Sequence, residues 1–296
     1  MDGKMLKIVE NKKKFYAISL LIIITAVCFA GFNLSTGKGA FNLDVDFSGG
    51  TSLTYYLGED AETADVQAII AEAAGISSPR VQRILGTTSF TVQMRKLNGE
   101  ERAGITEALR NRYPETELMG FADVSSTVSG EMQRKAITAV LASCIAMLAY
   151  ITIRFKDLKM GASAIAALSH DVLVMLAVYI IFRVPINNSF IAAILTILGY
   201  SINATIVVFD RIRENKKFVK RHETEHLINS SVTQTLARSI NTSLTTLIAI
   251  TCVYFYGVTS VREFAFPLII GILCGAYSSV CFAGSVWHTL ISRPAK

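Results

Sequence analysis

The sequence predicts an α-helical polytopic membrane protein of six transmembrane helices, with one α+β domain inserted between the first and the second. Three observations predict it. Of 296 residues, 51% are hydrophobic and only 18% are charged, a more apolar balance than an ordinary soluble domain needs. Six stretches approach the roughly 20 apolar residues that cross about 30 Å of hydrocarbon. The segment 33–133, between the first two of them, is polar, free of cysteine and patterned like a folded domain.

The N-terminal segment 1–14 is basic, with Lys4, Lys7 and Lys12 to Lys14 ahead of the first span at 15–32. Its apolar core is longer than the 7–15 residues of a signal-peptide h-region, so an uncleaved anchor is expected. A five-helix bundle follows in 134–292, with spans at 136–153, 160–182, 186–209, 240–261 and 264–291, a loop at 210–239 and a C-terminal 293–296. Basic residues near span ends set orientation. Arg154, Lys156 and Lys159 mark the second-to-third connection as cytoplasmic, and Arg211, Arg213, Lys216, Lys217, Lys220 and Arg221 mark the fourth-to-fifth. The opposite short loops offer Arg183 and Arg262. Both termini are therefore expected in the cytoplasm and 33–133 outside.

That outer segment alternates in a strand period through "GGTSLTYYL". "AETADVQAIIAEAAG" then places Val66, Ile69, Ile70 and Ala73 on one helical face, with Gly75 as a stop. "RVQRIL" and "SFTVQMR" read as strands joined by a hairpin at Gly86-Thr87. A second amphipathic helix, "GEERAGITEALRNRYP", ends at Pro114, and "ETELMGFADVSS" supplies a last strand. The order β-α-β-β-α-β is that of a ferredoxin-like split βαβ sheet.

Several function classes are excluded. The formal charge of +6 is segregated along the chain in a way that fits membrane sidedness, so no nucleic-acid partner is expected. The five cysteines lie in apolar stretches, without a metal-ligand spacing such as CxxC. "GFNLSTGKG" resembles a P-loop, but Gly31 and Gly37 are one residue too far apart and Gly39 replaces the Mg-binding hydroxyl, so it reads as a loop leaving the membrane. With no nucleophile elbow, HExxH or Cys/His constellation, neither an enzyme nor a cofactor or metal site is predicted.

Four features remain. "LDVDFSGGTSL" joins an acidic strand start to Gly49-Gly50, a turn or bulge that glycine permits, flanked by Asp46, Phe47 and Thr51. His170-Asp171 sits near the middle of the third span, where an ionisable group serves either a proton or ion relay or a fixed hydrogen bond between helices. On the fourth span Ser201, Asn203 and Thr205 lead to Asp210-Arg211, and on the fifth Arg238 precedes Asn241, Thr242, Ser243, Thr245 and Thr246. The two polar stretches are expected to line one hydrated seam. Gly271 and Gly275 form a GxxxG that permits close helix contact, within the chain or with a partner.

"LDVDFSGGT", "SHDVLVMLAVY", "GYSINATIVVFDRIREN" and "SVTQTLARSINTSLTTL", in order over most of the chain, resemble the SecF family of protein-export membrane subunits. The resemblance implies one half of a resistance-nodulation-division (RND) type membrane unit. It also implies a SecD-like partner, action at the SecYEG channel of the bacterial cytoplasmic membrane, unfolded preproteins as substrate and use of the proton-motive force. The family commonly carries an acid in "GYSINDT", the position implicated in proton coupling, where this sequence has Ala204. Coupling is then left to Asp171 or to an acid of the partner. The alternative is half of an RND-type small-molecule or lipid exporter, although such exporters usually carry both halves in one chain. A purely structural scaffold leaves His170-Asp171 unexplained.

Overall fold

The computed structural model describes residues 5–37, 39–76, 79–84, 87–218 and 223–292. The chain divides into two compact units, 43–136 on the one hand and 1–42 with 137–296 on the other. The elements begin with α1 (Lys12–Ser35), α2 (Val45–Ser48), β1 (Gly50–Tyr56), α3 (Thr63–Ala74), β2 (Arg80–Arg83) and β3 (Ser89–Met94). They continue with α4 (Gly99–Arg112), β4 (Glu117–Val124), α5 (Ser126–Phe155), α6 (Leu158–Ile181), α7 (Asn188–Asn215), α8 (Thr224–Tyr256) and α9 (Thr259–Tyr277). A π-helical segment, Ser278–Phe282, and α10 (Ala283–Ser292) come last.

In the first unit the four strands lie in the order β2-β3-β1-β4, each antiparallel to its neighbour, which is the ferredoxin-like arrangement. Alternate residues of the central strands, Leu53 and Tyr55 of β1 with Phe90 and Val92 of β3, meet Val66 and Ile70 of α3 and Ile105 and Leu109 of α4 in one buried core. The α3 stripe steps by four, from 66 to 70 to 74. Ala74 is therefore the buried alanine, and Ala73, expected on that face, is exposed. A capping box starts α4: the Asn98 side chain accepts from Glu101 N and Glu101 accepts from Asn98 N, both at 2.8 Å. Gly86 lies outside the described residues, while Thr87 N donates to Ile84 O and Ile84 N to Ser89 O, closing the β2–β3 turn.

The stretch ahead of Gly49 is a helical turn and not a strand start. Asp44 N-caps α2, accepting from Val45 N at 2.6 Å and from Gln93 Nε2 at 2.9 Å, and its burial raises the carboxyl above the usual range. Gly49 and Gly50 follow at φ +73° and +114°, and a Cβ on Gly50 would collide with Met94 O. The Thr51 hydroxyl donates to Asp123 of β4 and accepts from Leu97 N. Phe47 is buried and its carbonyl accepts from Gln133. Asp46 is half-buried on α2. These residues tie β1 to its neighbours, a structural task.

Among the described residues six helical stretches are long and apolar enough to cross a membrane. α6, α7 and the last stretch carry most of the burial, whereas α5 and α8 present nearly all of their apolar windows to the surface. Side chains cap the inner helices: Asp157 accepts from Lys159 N and Met160 N ahead of α6, and Asn187 accepts from Phe190 N ahead of α7. Gly31 to Ser35 belong to α1, so "GFNLS" continues the helix and is not the loop expected from its glycines. The last span is one continuous helical stretch, 260–292, in which α9, with Pro267 inside it, passes through the π-helical turn into α10. The residues before α1 are clamped onto α8. Asn229 Oδ1 accepts from Ile8 N and Val9 N, both at 3.0 Å, and Asn229 Nδ2 donates to Glu10 at 2.7 Å.

Candidate functional site

The second unit buries a connected set of polar side chains halfway along α6. Asp171 and His170 are 1% and 5% exposed. His170 Nδ1 lies 3.0 Å from Asp171 Oδ1. Asp171 Oδ2 accepts from Ser201 of α7 at 2.6 Å and from Ser278 of the π-helical turn at 2.8 Å. One carboxylate thus gathers three polar partners from three spans. Three such bonds offset the several kcal/mol that an unpaired buried charge costs, at about 1.5–3 kcal/mol for each charge-assisted bond.

The far side of the imidazole continues the network. His170 Nε2 is 2.9 Å from Ser19 Oγ of α1, which is 3.4 Å from the Tyr277 hydroxyl. Tyr277 donates its own proton to Phe15 O at 2.9 Å, so it can only accept from Ser19. Rotating the Ser19 hydroxyl then satisfies two protonation states. If Ser19 donates to Nε2, the ring carries its proton on Nδ1 and donates to the Asp171 carboxylate; if Ser19 donates to Tyr277, Nε2 carries a proton, and the contact at Nδ1 is kept either by an imidazolium beside the carboxylate or by a neutral ring accepting from the protonated carboxyl. Phe282 stacks on the imidazole at 4.8 Å between ring centroids. The chemistry on offer is reversible holding of one proton by a buried pair, with no heavy-atom motion beyond a hydroxyl rotation.

The π-helical turn positions this site. A π turn holds one residue more than an α turn and is frequent at functional sites. Here it supplies Ser278 to the carboxylate and Phe282 to the ring, while Tyr277 just before it anchors Ser19.

Of the residues expected to work together, the structure unites His170, Asp171 and Ser201. Thr205 is buried near them in sequence, but its hydroxyl has no hydrogen-bond partner among the described residues. Asn203 is exposed and Ala204 half-buried. At about 100° per residue, positions 201 and 205 share a face and 203 points away from it. The single hydrated wall expected from Ser201, Asn203 and Thr205 is therefore not formed. Asp210 pairs with Arg154 of α5 at 3.3 Å, and Arg211 with Gln234 and Glu214. Arg238 and Asn241 are exposed on α8 and make no hydrogen bond to the Asp171 cluster. Tyr200 joins the two stretches, donating to Thr242 O at 3.1 Å with Thr246 Oγ1 at 3.3 Å.

Gly271 and Gly275 face α7. A Cβ on Gly271 would collide with the Ile197 side chain, and one on Gly275 would stand 3.1 Å from Ser201 Cβ. Their close contact is within the chain, and it brings α9 against the helix that carries Ser201. Ser19, Tyr277 and Ser278 are not marked by the sequence, because hydroxyls in apolar helices carry no signal of their own.

Residues 104–293 match the family described as protein export membrane protein SecD/SecF, C-terminal. The chain belongs to the SecD/SecF protein-export family. The protein translocase subunit SecF of Alicyclobacillus acidocaldarius is 36% identical over 98% of this chain and 94% of its own length. That of Thermodesulfovibrio yellowstonii is 37% identical over 93% and 91%. Among solved structures, SecDF of Thermus thermophilus, a translocon-associated membrane protein, superposes with a TM-score of 0.86 at 30% identity over 98% of this chain. SecDF in a super-membrane-facing form gives 0.68 at 31% identity over 99% of this chain. This chain spans only about two-fifths of those SecDF chains, 39% and 40%. The SecD/SecF-family protein is thus a multi-pass membrane protein whose relatives are translocase subunits.

Proposed function

We propose that this chain is an auxiliary subunit of the Sec protein translocase in a bacterial plasma membrane. It works with a SecD-like partner at the SecYEG channel and uses the proton gradient to help draw unfolded preproteins outward. It moves a polypeptide and performs no covalent chemistry of its own. The observation that carries the reading is the nearly full-length match to translocase subunits named SecF. The alternating basic residues support a topology with both termini and residues 210–239 in the cytoplasm and the ferredoxin-like domain outside.

Two acids are open to the proton step in place of the absent acid at Ala204, namely Asp171 and one supplied by the partner. The network around Asp171 favours the first, because it accommodates the His170–Asp171 pair with one proton more or less without leaving a buried polar group unpaired. The exposed polar residues of α7 and α8, Asn203, Arg238 and Asn241, are assigned to the face that meets the partner.

Single cysteines test the arrangement. In intact cells a cysteine replacing Glu101 is labelled by a membrane-impermeant maleimide and one replacing Lys217 is not, while the tagged chain brings down a six-span SecD-like protein. Labelling in the opposite sense, or a chain that supports export without any such protein, overturns the reading.

A further inference from the structure

On the outer face of the second unit, α1, α6 and α10 border an apolar groove of about 580 Å³. Its walls include Tyr16, Leu20, Ile23, Leu173 and Val286, and His170 lies on its floor. The wall residues on α1 span positions 16 to 23, which at 1.5 Å per residue is about 10 Å of length. A groove of that size falls within the range of sites for small apolar ligands. All three bordering elements belong to stretches long and apolar enough to cross a membrane, so hydrocarbon has access to the groove, and leaving it empty would forfeit dispersion contacts along its whole wall.

The α1 face that lines the groove leads back to two cations. Steps of three and four residues from Tyr16 reach Lys13 and Lys12, so both stand about one turn beyond the end of the groove on the same face. Lys13 is exposed. Lys12 Nζ donates to His288 Nδ1 at 3.1 Å, which leaves two of its three protons for another acceptor. Neither ammonium has a carboxylate within ion-pair distance among the described residues. An apolar slot ending at two cations that have no carboxylate partner among the described residues has the polarity of a phospholipid, tail first and phosphate last.

We propose that this groove is a binding site for an anionic phospholipid, one acyl chain lying along α1 over His170 and the headgroup phosphate held by Lys12 and Lys13. The bound chain seals the surface side of the His170–Asp171 pair against water and stray protons. The site depends on membrane insertion and not on the translocase reading, so either can fail alone.

The test uses the full chain in nanodiscs, with Trp287, its single tryptophan, replaced by Phe and a reporter introduced as Leu173→Trp. Should that variant misfold, Leu20→Trp reports from the opposite wall. Phosphatidylglycerol or phosphatidylcholine with brominated acyl chains is titrated into unbrominated phosphatidylcholine, and quenching is followed. The expected result is half-quenching at a lower mole fraction of the anionic lipid. The preference is about fivefold for each lysine, from the roughly 1 kcal/mol that a lysine near the surface contributes, and the Lys12→Gln/Lys13→Gln variant loses it. Equal quenching by both lipids would mean ordinary annular lipid and overturn the proposal. So would the absence of quenching by either, which would mean that protein covers the groove.

Discussion

Replacing Gly271 with alanine is the sharpest test of the helix packing that holds the site. The added methyl carbon would lie 2.8 and 2.9 Å from Ile197 Cδ1 and Cγ2 and closer still to Cγ1. Carbon atoms are relaxed at about 3.5–4.0 Å, so each overlap is roughly 0.6 Å or more. Ile197 is 1% exposed and has nowhere to swing, hence α9 must back away from α7. Overpacking of this kind costs about 1–3 kcal/mol, against a helix-propensity gain for alanine of about 1 kcal/mol. Gly199, on α7 itself, serves as the control, since a Cβ there would meet nothing within 4 Å. In reversible unfolding with mixed dodecylmaltoside–SDS micelles, followed by Trp287 fluorescence, G199A should be neutral or stabilising. G271A should be less stable than G199A by about 1–3 kcal/mol. Ile197→Ala is destabilising alone, but in the double variant the two costs should fall short of their sum by about 1 kcal/mol or more. Equal stability of G271A and G199A, with strict additivity toward Ile197, would refute the intrachain contact.

The clamp on the N-terminal segment gives a second prediction. Asn229→Ala strips the partners from the buried Ile8 and Val9 amides and should cost about 2–4 kcal/mol, read in the same micelle assay, and it should expose residues 6–10 to amide hydrogen exchange. Glu10 is held below the usual carboxylate range by its backbone and Asn229 hydrogen bonds. Its contribution is therefore present above the unfolded pKa of about 4.3 and lost as pH falls through the folded value; protection factors at 6–10, taken relative to intrinsic exchange, that are independent of pH down to about 3 would contradict this. The ferredoxin-like unit gives a third. Residues 43–136 should fold alone, with a mixed α/β far-UV spectrum, and Asp44→Asn should keep the α2 cap. Because burial raises Asp44 above its unfolded pKa, the wild-type carboxyl favours folding below that pKa and costs stability as pH rises through the folded one. The Asn variant should therefore gain on wild type toward neutral pH and lose the advantage in acid, as thermal melts would reveal. A constant difference across pH would discard that assignment.

Two periodicities explain what is legible in the sequence. Thr51, Leu53 and Tyr55 alternate against Phe90 and Val92, and Val66 and Ile70 step by four, because in a two-layer domain burial follows local geometry. His170-Asp171 stands out because charge is rare at the middle of a span. Its partners do not, since Ser19 and Ser278 lie 151 and 107 residues away in sequence and a lone serine in a span is unremarkable. The π-helical turn leaves no periodic trace over five residues. Asn203 falls in with Ser201 when only closeness in sequence is considered, although the helix turns them apart. Asn229 is hidden for a different reason: its three bonds go to backbone groups and Glu10 of a segment that reads as a plain basic tail.

Central to the proposed mechanism is that the buried Asp171–His170 pair holds the proton to which export is coupled. The most direct measurement is preprotein translocation in vesicles reconstituted with SecYEG, its motor ATPase, the SecD-like partner and either wild-type chain or Asp171→Asn, with and without an imposed proton gradient. Asparagine still accepts from Ser201 and Ser278 but cannot titrate. The ATP-driven rate should be unchanged, and the increment due to the gradient should fall to the level seen with an uncoupler. A full increment with Asp171→Asn, lost instead when an acid of the partner is made Asn, would contradict the claim and move the proton step to the partner.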